Sequence, residues 1–176
     1  MNWRTHAVVG ANALWVLPLV HQSLDASILF LLPSAVVGAL LPDIDAHGSG
    51  AKVHYVAGGV LGAFRGLFFG KLLGHRGLFH SLSMALVLFL IAWSFTHEQY
   101  PSAALVFAIG YITHIIIDGF NTGVGYLFPF WLKRFALVPR FFLTPVGGTA
   151  DTFLFILGLF GIALFFLANA KSFLSQ

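Results

Sequence analysis

The stretch PSAALVFAIGYITHIIID, residues 101–118, decides how this chain folds. It is apolar over almost its whole length and contains no Lys or Arg. A helix needs about 20 such residues to cross a hydrocarbon core of about 30 Å. The segment therefore predicts a membrane-spanning helix, and the last turn of that helix carries His114 and Asp118.

The composition of the whole chain also indicates an integral membrane protein. The 176 residues are 59% hydrophobic and only 9% charged, with a mean hydropathy of +0.91. Soluble domains are about one-quarter charged, so we exclude a water-soluble globule. The absence of cysteine excludes disulfides and thiolate metal sites. Basic residues in membrane loops explain the net charge of +3 better than binding to nucleic acid does.

Five apolar segments predict an all-α, polytopic membrane helical bundle that forms one domain over residues 1–176. The predicted spans are about 5–20, 26–41, 78–95, 101–118 and 152–170. Within 53–74 the apolar run ends at Arg65 and is too short to span, which predicts a re-entrant or interfacial helix. The first segment could instead be a signal peptide, but no small-x-small cleavage site follows it.

The basic residues predict an orientation in a bacterial inner membrane. With five spans, eight of the nine Lys and Arg residues fall beside the N-terminus or within residues 42–77 and 119–151. That side should be cytoplasmic, because cytoplasmic loops are enriched in Lys and Arg. Between 123 and 149, aromatic residues lie beside Lys133 and Arg134, a mixture typical of a segment in the membrane interface.

The polar residues concentrate at the predicted cytoplasmic ends of four helices. Ionisable groups in lipid are costly, and a bound cation compensates for that cost. A single such residue could instead cap a helix or hydrogen-bond a neighbouring helix. Because a compact bundle brings these ends into one layer, the pattern predicts a metal site. The seven candidate ligands are His6, Asp43, Asp45, His75, His80, His114 and Asp118.

The local spacing of these candidate ligands supports their convergence on one metal site. His114 and Asp118 are four residues apart, about 40° around a helix, so both can face one ion. Asp43 and Asp45 follow a proline, and in an extended conformation both would point the same way. His75 and His80 are five residues apart and converge only if the first lies in the loop before the helix. The remaining histidines are interpreted as loop or interface residues: His21, His47, His54 and His97.

Four motifs carry a family resemblance: Thr5-His6, LPDID at 41–45, HRGLFHS at 75–81 and GYITHIIID at 110–118. Their order resembles the YdjM family of bacterial inner-membrane proteins, which are described as metal-dependent hydrolases. Thr122-Gly123 and residues 126–130 match it too, and coverage runs from residue 5 to about 151. The resemblance implies a hydrolase but no substrate. A weaker likeness in arrangement to zinc-dependent phospholipases C suggests phosphoester chemistry.

Seven nitrogen and oxygen ligands suit two divalent ions, Zn or Mn, which would activate water against a phosphoester. Arg76 would clamp the phosphate in a bidentate manner, and Asp45 or Asp118 would act as base. Thr5 and Ser81 are expected to hydrogen-bond the ligands. A site at headgroup depth implies an amphiphilic substrate among the membrane lipids, a phospholipid or a polyprenyl phosphate.

Two other functions stay open, and the sequence leaves the oligomeric state undetermined. A divalent-cation transporter would also place His and Asp in the membrane, but it needs polar residues through the midplane, where these spans have almost none. A purely structural metal site would staple the helices and leave no open coordination position.

Overall fold

The computed structural model describes residues 1–20, 28–45, 78–121, 123–139 and 142–170, and within these ranges it contains helices and no β-strand. The all-α prediction is confirmed. The helices are α1 (Trp3–Ala11), α2 (Ile28–Leu40), α3 (Leu82–Thr96), α4 (Pro101–Gly119) and α5 (Thr149–Ala168). Three 3₁₀ segments adjoin them: Asn12–Val20, Leu41–Asp45 and Leu78–His80.

The first predicted span is not one continuous α-helix. The α-helix ends at Ala11, and a 3₁₀ segment that contains Pro18 continues the chain to Val20. Proline lacks the N–H that an α-helix needs, and its ring clashes with the carbonyl four residues before it, here that of Leu14. A regular α-helix over 5–20 is therefore disfavoured.

Helix length limits what can cross a membrane unaided. Only α4, with 19 residues, and α5, with 20, are long and apolar enough to span among the described residues. The 13 residues of α2 and the 15 of α3 rise only about 20 Å and 22 Å, less than the hydrocarbon core. Two candidate spans are thus observed, and the five-span bundle stays a prediction. The helix expected at 53–74 lies outside the described residues.

Helix α4 is the centre of the bundle. It packs against α1, α2 and α3. Of its apolar stretch, 67% is buried by protein, compared with 17% for the apolar stretch of α5. Tyr111 and Ile115 on α4 are fully buried in one core cluster, which includes Ala85 of α3. Helix α5 packs mainly on α1 and leaves its other face exposed.

Two glycines allow α2 and α4 to cross at backbone contact. A Cβ built on Gly110 would overlap the carbonyl oxygen of Ala35, and one built on Gly38 would overlap that of Phe107. Any larger residue at either position would force the helices apart, which is why small residues favour close helix pairs in membranes.

The direction of successive helices brings five helix ends together. The start of α1 contacts the end of α4 through Met1 and Asp118, and it contacts the start of α5 through Asn2 and Asp151. The end of α2 and the start of α3 meet the last turns of α4 as well. We call this common end of the bundle the site end. It contains those candidate metal ligands whose side chains the structure describes.

Candidate metal centre

His114 is held in the tautomer that binds metals. Its Nδ1 lies 2.6 Å from the backbone oxygen of Ala39, which can only accept a hydrogen bond. Nδ1 therefore carries the proton and Nε2 presents its lone pair. Ala39 lies in the last turn of α2, where helix carbonyls have no intrahelical partner. A helix end thus orients a histidine of the neighbouring helix, as carbonyl partners do for metal-binding histidines.

His80 completes a pair of facing imidazoles. It ends the 3₁₀ segment Leu78–His80, immediately before Ser81 caps α3 by accepting a hydrogen bond from the backbone N–H of Met84. Its Nε2 lies 3.3 Å from Nε2 of His114, and both rings are completely buried. Because Nε2 of His114 is an acceptor, the two nitrogens either share one proton or face a common cation.

Two carboxylates approach these nitrogens. Asp118 is one turn after His114 on α4, and its Oδ2 lies 3.6 Å from Nε2 of His80. Asp43 belongs to the 3₁₀ segment after α2, and its Oδ1 lies 3.6 Å from Nε2 of His114 and 3.8 Å from Nε2 of His80. The potential ligand atoms of these four residues all lie within 4.8 Å of one another.

The donor set of this group fits a divalent transition metal. Two imidazole nitrogens and two carboxylate oxygens are ligands that Zn and Mn accept. Three of the four side chains are fully buried, and only Asp43 keeps 20% of its surface exposed. A divalent cation among these side chains would offset the negative charge of the two carboxylates. The group could therefore hold a metal ion.

His6 lies directly against this group. Its ring stacks on that of His114 with centroids 3.7 Å apart, and its Nε2 lies 3.2 Å from Oδ1 of Asp118. Nδ1 of His6 is buried and makes no hydrogen bond within the described chain. Such an unsatisfied group costs about 1–3 kcal/mol, a cost that a bound cation would remove. The amino group of Met1 also lies 2.6 Å from Oδ1 of Asp118.

Asp151 is a buried acid that the sequence analysis missed. From the first turn of α5 it accepts hydrogen bonds from the backbone N–H groups of Asn2, at 3.0 Å, and Gly147, at 2.7 Å, and from the hydroxyl of Thr5. Thr5 was expected beside a metal ligand but bonds to Asp151 instead. The only signal in the sequence was an acid at the start of an apolar helix. A negative charge there interacts favourably with the positive end of the helix dipole. Asp151 thereby holds the turn of α1 that carries His6.

Two further expectations about local geometry were wrong. Asp43 and Asp45 lie in a 3₁₀ segment and not in an extended chain. In a 3₁₀ helix, residues two apart differ by roughly 120° in direction, so the extended-chain argument for a shared site does not hold. Ser81 caps α3 and donates its hydroxyl to the carbonyl of Leu78 at 2.7 Å, so these contacts do not orient a ligand.

Part of the predicted site lies outside the described residues. His75 and Arg76 belong to the range 46–77, and the side chain of Asp45 is likewise not described. Their assignment as ligands, base and phosphate clamp stays a prediction. His97 lies at the end of α3 with its ring stacked near Trp93, away from the site end.

Several polar groups lie in the chain that follows the end of α4. The hydroxyl of Tyr126 donates to the carbonyl of Ile115 at 3.4 Å. Burial, and then the negative charge of Asp118, raises the pKa of Tyr126 to about 12, so the phenol stays protonated at neutral pH. Nδ2 of Asn121 and Oγ1 of Thr144 are buried and have no hydrogen-bond partner within the described chain. The backbone N–H of Asn121 donates to the carbonyl of Asp118 at 3.0 Å.

Comparison with known proteins agrees with the resemblance seen in the motifs. The profile of the family described as YdjM inner membrane protein matches residues 1–173. The chain is also 30% identical over 132 residues to YvsG, an uncharacterized protein of Bacillus subtilis strain 168. That alignment covers 73% of this chain and 74% of YvsG. No solved structure matches the chain.

Proposed function

Because the chain belongs to the YdjM family of inner membrane proteins, we propose that it is a membrane-embedded, metal-dependent hydrolase of amphiphilic phosphoesters. The observation that carries the proposal is the group Asp43, His80, His114 and Asp118. Their ligand atoms lie within 4.8 Å of one another at one end of a bundle of apolar helices.

The arrangement around Asp118 supports two ions rather than one. Its Oδ1 faces His6 at 3.2 Å, whereas its Oδ2 faces His80 at 3.6 Å. Asp118 and His6 could together hold a second ion beside the one that the clustered group would hold. The predicted ligands Asp45 and His75 would join His6 in the set of ligands for the second ion. When bound, the metal supplies Lewis acidity that activates water and polarises an ester oxygen.

Access to the centre favours catalysis over a structural staple. Structural metal sites are closed, whereas catalytic sites keep one position open. Here three ligands are buried, and Asp43 exposes part of its side chain. Substrate would approach from this side, and Arg76 would bind a phosphate oxygen pair in a bidentate manner.

The basic residues at the site end support an orientation in the membrane. Arg4, Lys133 and Arg134 all lie there and are exposed. Because cytoplasmic loops are enriched in Lys and Arg, this distribution favours a cytoplasmic location for the site end. Five spans then require α1, α2 and α3 to cross with their ends in the headgroup layer or in a locally thinned bilayer. A substrate headgroup would meet the metal centre at that depth.

The test is hydrolysis by purified, metal-loaded protein in lipid nanodiscs. Phospholipids and polyprenyl phosphates are offered with and without a chelator, beside His114→Ala and the control His97→Ala. We expect turnover that chelation and His114→Ala abolish and His97→Ala preserves. Arg76→Lys should retain metal yet lose about 10²-fold or more in rate, because Lys cannot form the bidentate contact.

Two companion measurements, thermal stability and metal transport, separate the alternatives. Metal that raises the thermal stability without any turnover of these substrates would identify a structural staple and refute the hydrolase. Metal that crosses the membrane of sealed proteoliposomes would instead identify a transporter. Wild-type turnover in Arg76→Lys would refute the phosphate clamp.

A further inference from the structure

The connection between α4 and α5 exposes an unusual amount of apolar surface for a non-helical segment. Phe130 is 88% exposed and Leu132 is 76% exposed, although neither belongs to a helix. Exposed apolar patches of this kind mark interaction surfaces. The exposed large side chains are Leu127, Phe130, Trp131, Leu132, Phe135 and Leu137.

Backbone hydrogen bonds hold this connection against the site end. Val124 and Phe135 exchange two N–H to carbonyl bonds of 2.9 Å, and the N–H of Leu137 donates to Gly119 at the end of α4. The carbonyl of Tyr126 accepts from the N–H of Leu82 at the start of α3. The segment is therefore anchored at the start of α3 and the end of α4, close in sequence to His80 and Asp118.

The charge of the segment is of one sign. Lys133 and Arg134 are exposed and follow directly after the aromatic residues, and residues 123–139 contain no acid. Trp and other aromatic rings prefer the headgroup level of a bilayer. Basic residues near that level are attracted to anionic lipids. Aromatic and basic side chains on one exposed surface thus complement an anionic membrane interface.

We propose that residues 127–135, called the aromatic–basic segment, bind anionic phospholipid in the membrane interface. The aromatic side chains enter the headgroup layer, and Lys133 and Arg134 bind lipid phosphate. Because the segment is anchored to the ends of α3 and α4, it sets the metal centre at headgroup depth. This inference needs only the membrane location and stands whether or not the chain is a hydrolase.

Tryptophan fluorescence tests the proposal in the full-length protein. The chain has four Trp, so replacing Trp3, Trp15 and Trp93 with Phe leaves Trp131 as the only reporter. The variant is reconstituted in mixed phosphatidylcholine and phosphatidylglycerol, with bromine placed on one lipid at a time. We expect brominated phosphatidylglycerol to quench Trp131 more strongly than brominated phosphatidylcholine at equal mole fraction.

A matched reporter and a charge variant give the controls. A single-Trp variant that retains Trp93 reports on a comparably exposed residue, 42% against 48%, on α3, where its ring stacks on His97. It should show no preference for the anionic lipid. Lys133→Gln with Arg134→Gln should weaken the preference at Trp131 by about fivefold for each charge removed. Retained thermal stability shows that the variants fold.

Two results would overturn the proposal. In the first, no brominated lipid quenches the fluorescence of Trp131, which would show that the segment lies in water. The other is a preference for phosphatidylglycerol that persists unchanged after both basic residues are neutralised, because Lys133 and Arg134 would then not bind the lipid phosphate.

Discussion

The Nε2 atoms of His80 and His114 lie 3.3 Å apart, although the two residues are separated by 34 positions and belong to different secondary-structure elements. The contact depends on Ala39, whose carbonyl holds Nδ1 of His114 and so turns its Nε2 inward. Three segments of the chain, the end of α2, the 3₁₀ segment before α3 and the last turns of α4, therefore determine how one imidazole pair faces the carboxylates.

The first prediction concerns metal content. His114→Ala should abolish stoichiometric binding of Zn or Mn, because it removes one of four clustered ligand groups. Elemental analysis of purified protein measures this directly. His97→Ala is the matched control and should retain metal, since His97 lies exposed at the other end of α3. Equal metal in both variants would show that the group is not a metal site.

The second prediction concerns stability on metal removal. A ligand that binds only the folded state stabilises it by about 2.7 kcal/mol at one hundred times its dissociation constant. A chelator should therefore lower the Tm of the wild-type protein and leave that of His114→Ala unchanged. Differential scanning fluorimetry in detergent measures both, and an unchanged wild-type Tm contradicts a bound ion.

The third prediction concerns the contact between Thr5 and Asp151. Thr5→Val removes the hydroxyl donor and leaves a buried carboxylate oxygen unsatisfied, which costs about 1–3 kcal/mol. Because this contact holds the turn that carries His6, metal affinity should also fall, on the order of tenfold. Thr5→Ser keeps the donor and should restore both. Metal titration and Tm are the measurements, and identical behaviour of the two variants would exclude the positioning role.

The fourth prediction concerns the crossing of α2 and α4. Gly110→Ala places a methyl group against the carbonyl of Ala35, which is backbone and cannot rotate away. The overlap should destabilise the fold by about 1–3 kcal/mol and lower metal content with it. Gly123→Ala is a milder control, because its Cβ would lie 3.1 Å from the Cβ of Arg134 in an exposed segment. Similar Tm values for both variants would contradict a tight crossing.

The fifth prediction concerns orientation. The chain has no cysteine, so single-cysteine variants report without background. Lys133→Cys, at the site end, should react with an impermeant maleimide only after the inner membrane is opened. Glu98→Cys, between α3 and α4, should react in intact spheroplasts. The reverse pattern would place the metal centre on the periplasmic side.

Sequence patterns predicted those features that depend on composition along a single segment. The apolar runs at 101–118 and 152–170 correspond closely to α4 and α5, because apolar length and the lack of charge are local properties. The same reasoning overestimated the regularity of the first span, where Pro18 interrupts it. It also assumed an extended chain at Asp43, where the structure has a 3₁₀ segment.

The candidate site was predicted as a set of residues but not as a geometry. Polar residues in an apolar chain are conspicuous, and four of the seven candidates form the group Asp43, His80, His114 and Asp118. Asp151 was not singled out, because nothing in its local sequence shows that its partners come from the N-terminal turn. Such pairings join segments that are far apart in the chain.

By itself, the sequence determined that the chain is an all-α membrane protein of the YdjM family with His and Asp residues at helix ends. Composition and motif order contain that information because lipid selects apolar segments and penalises isolated polar groups. Only the tertiary structure decided which polar atoms meet. Gly38 and Gly110 set how closely α2 and α4 cross, and that approach brings the carbonyl of Ala39 onto His114. Distances between atoms on different helices depend on crossing geometry, which no single segment encodes.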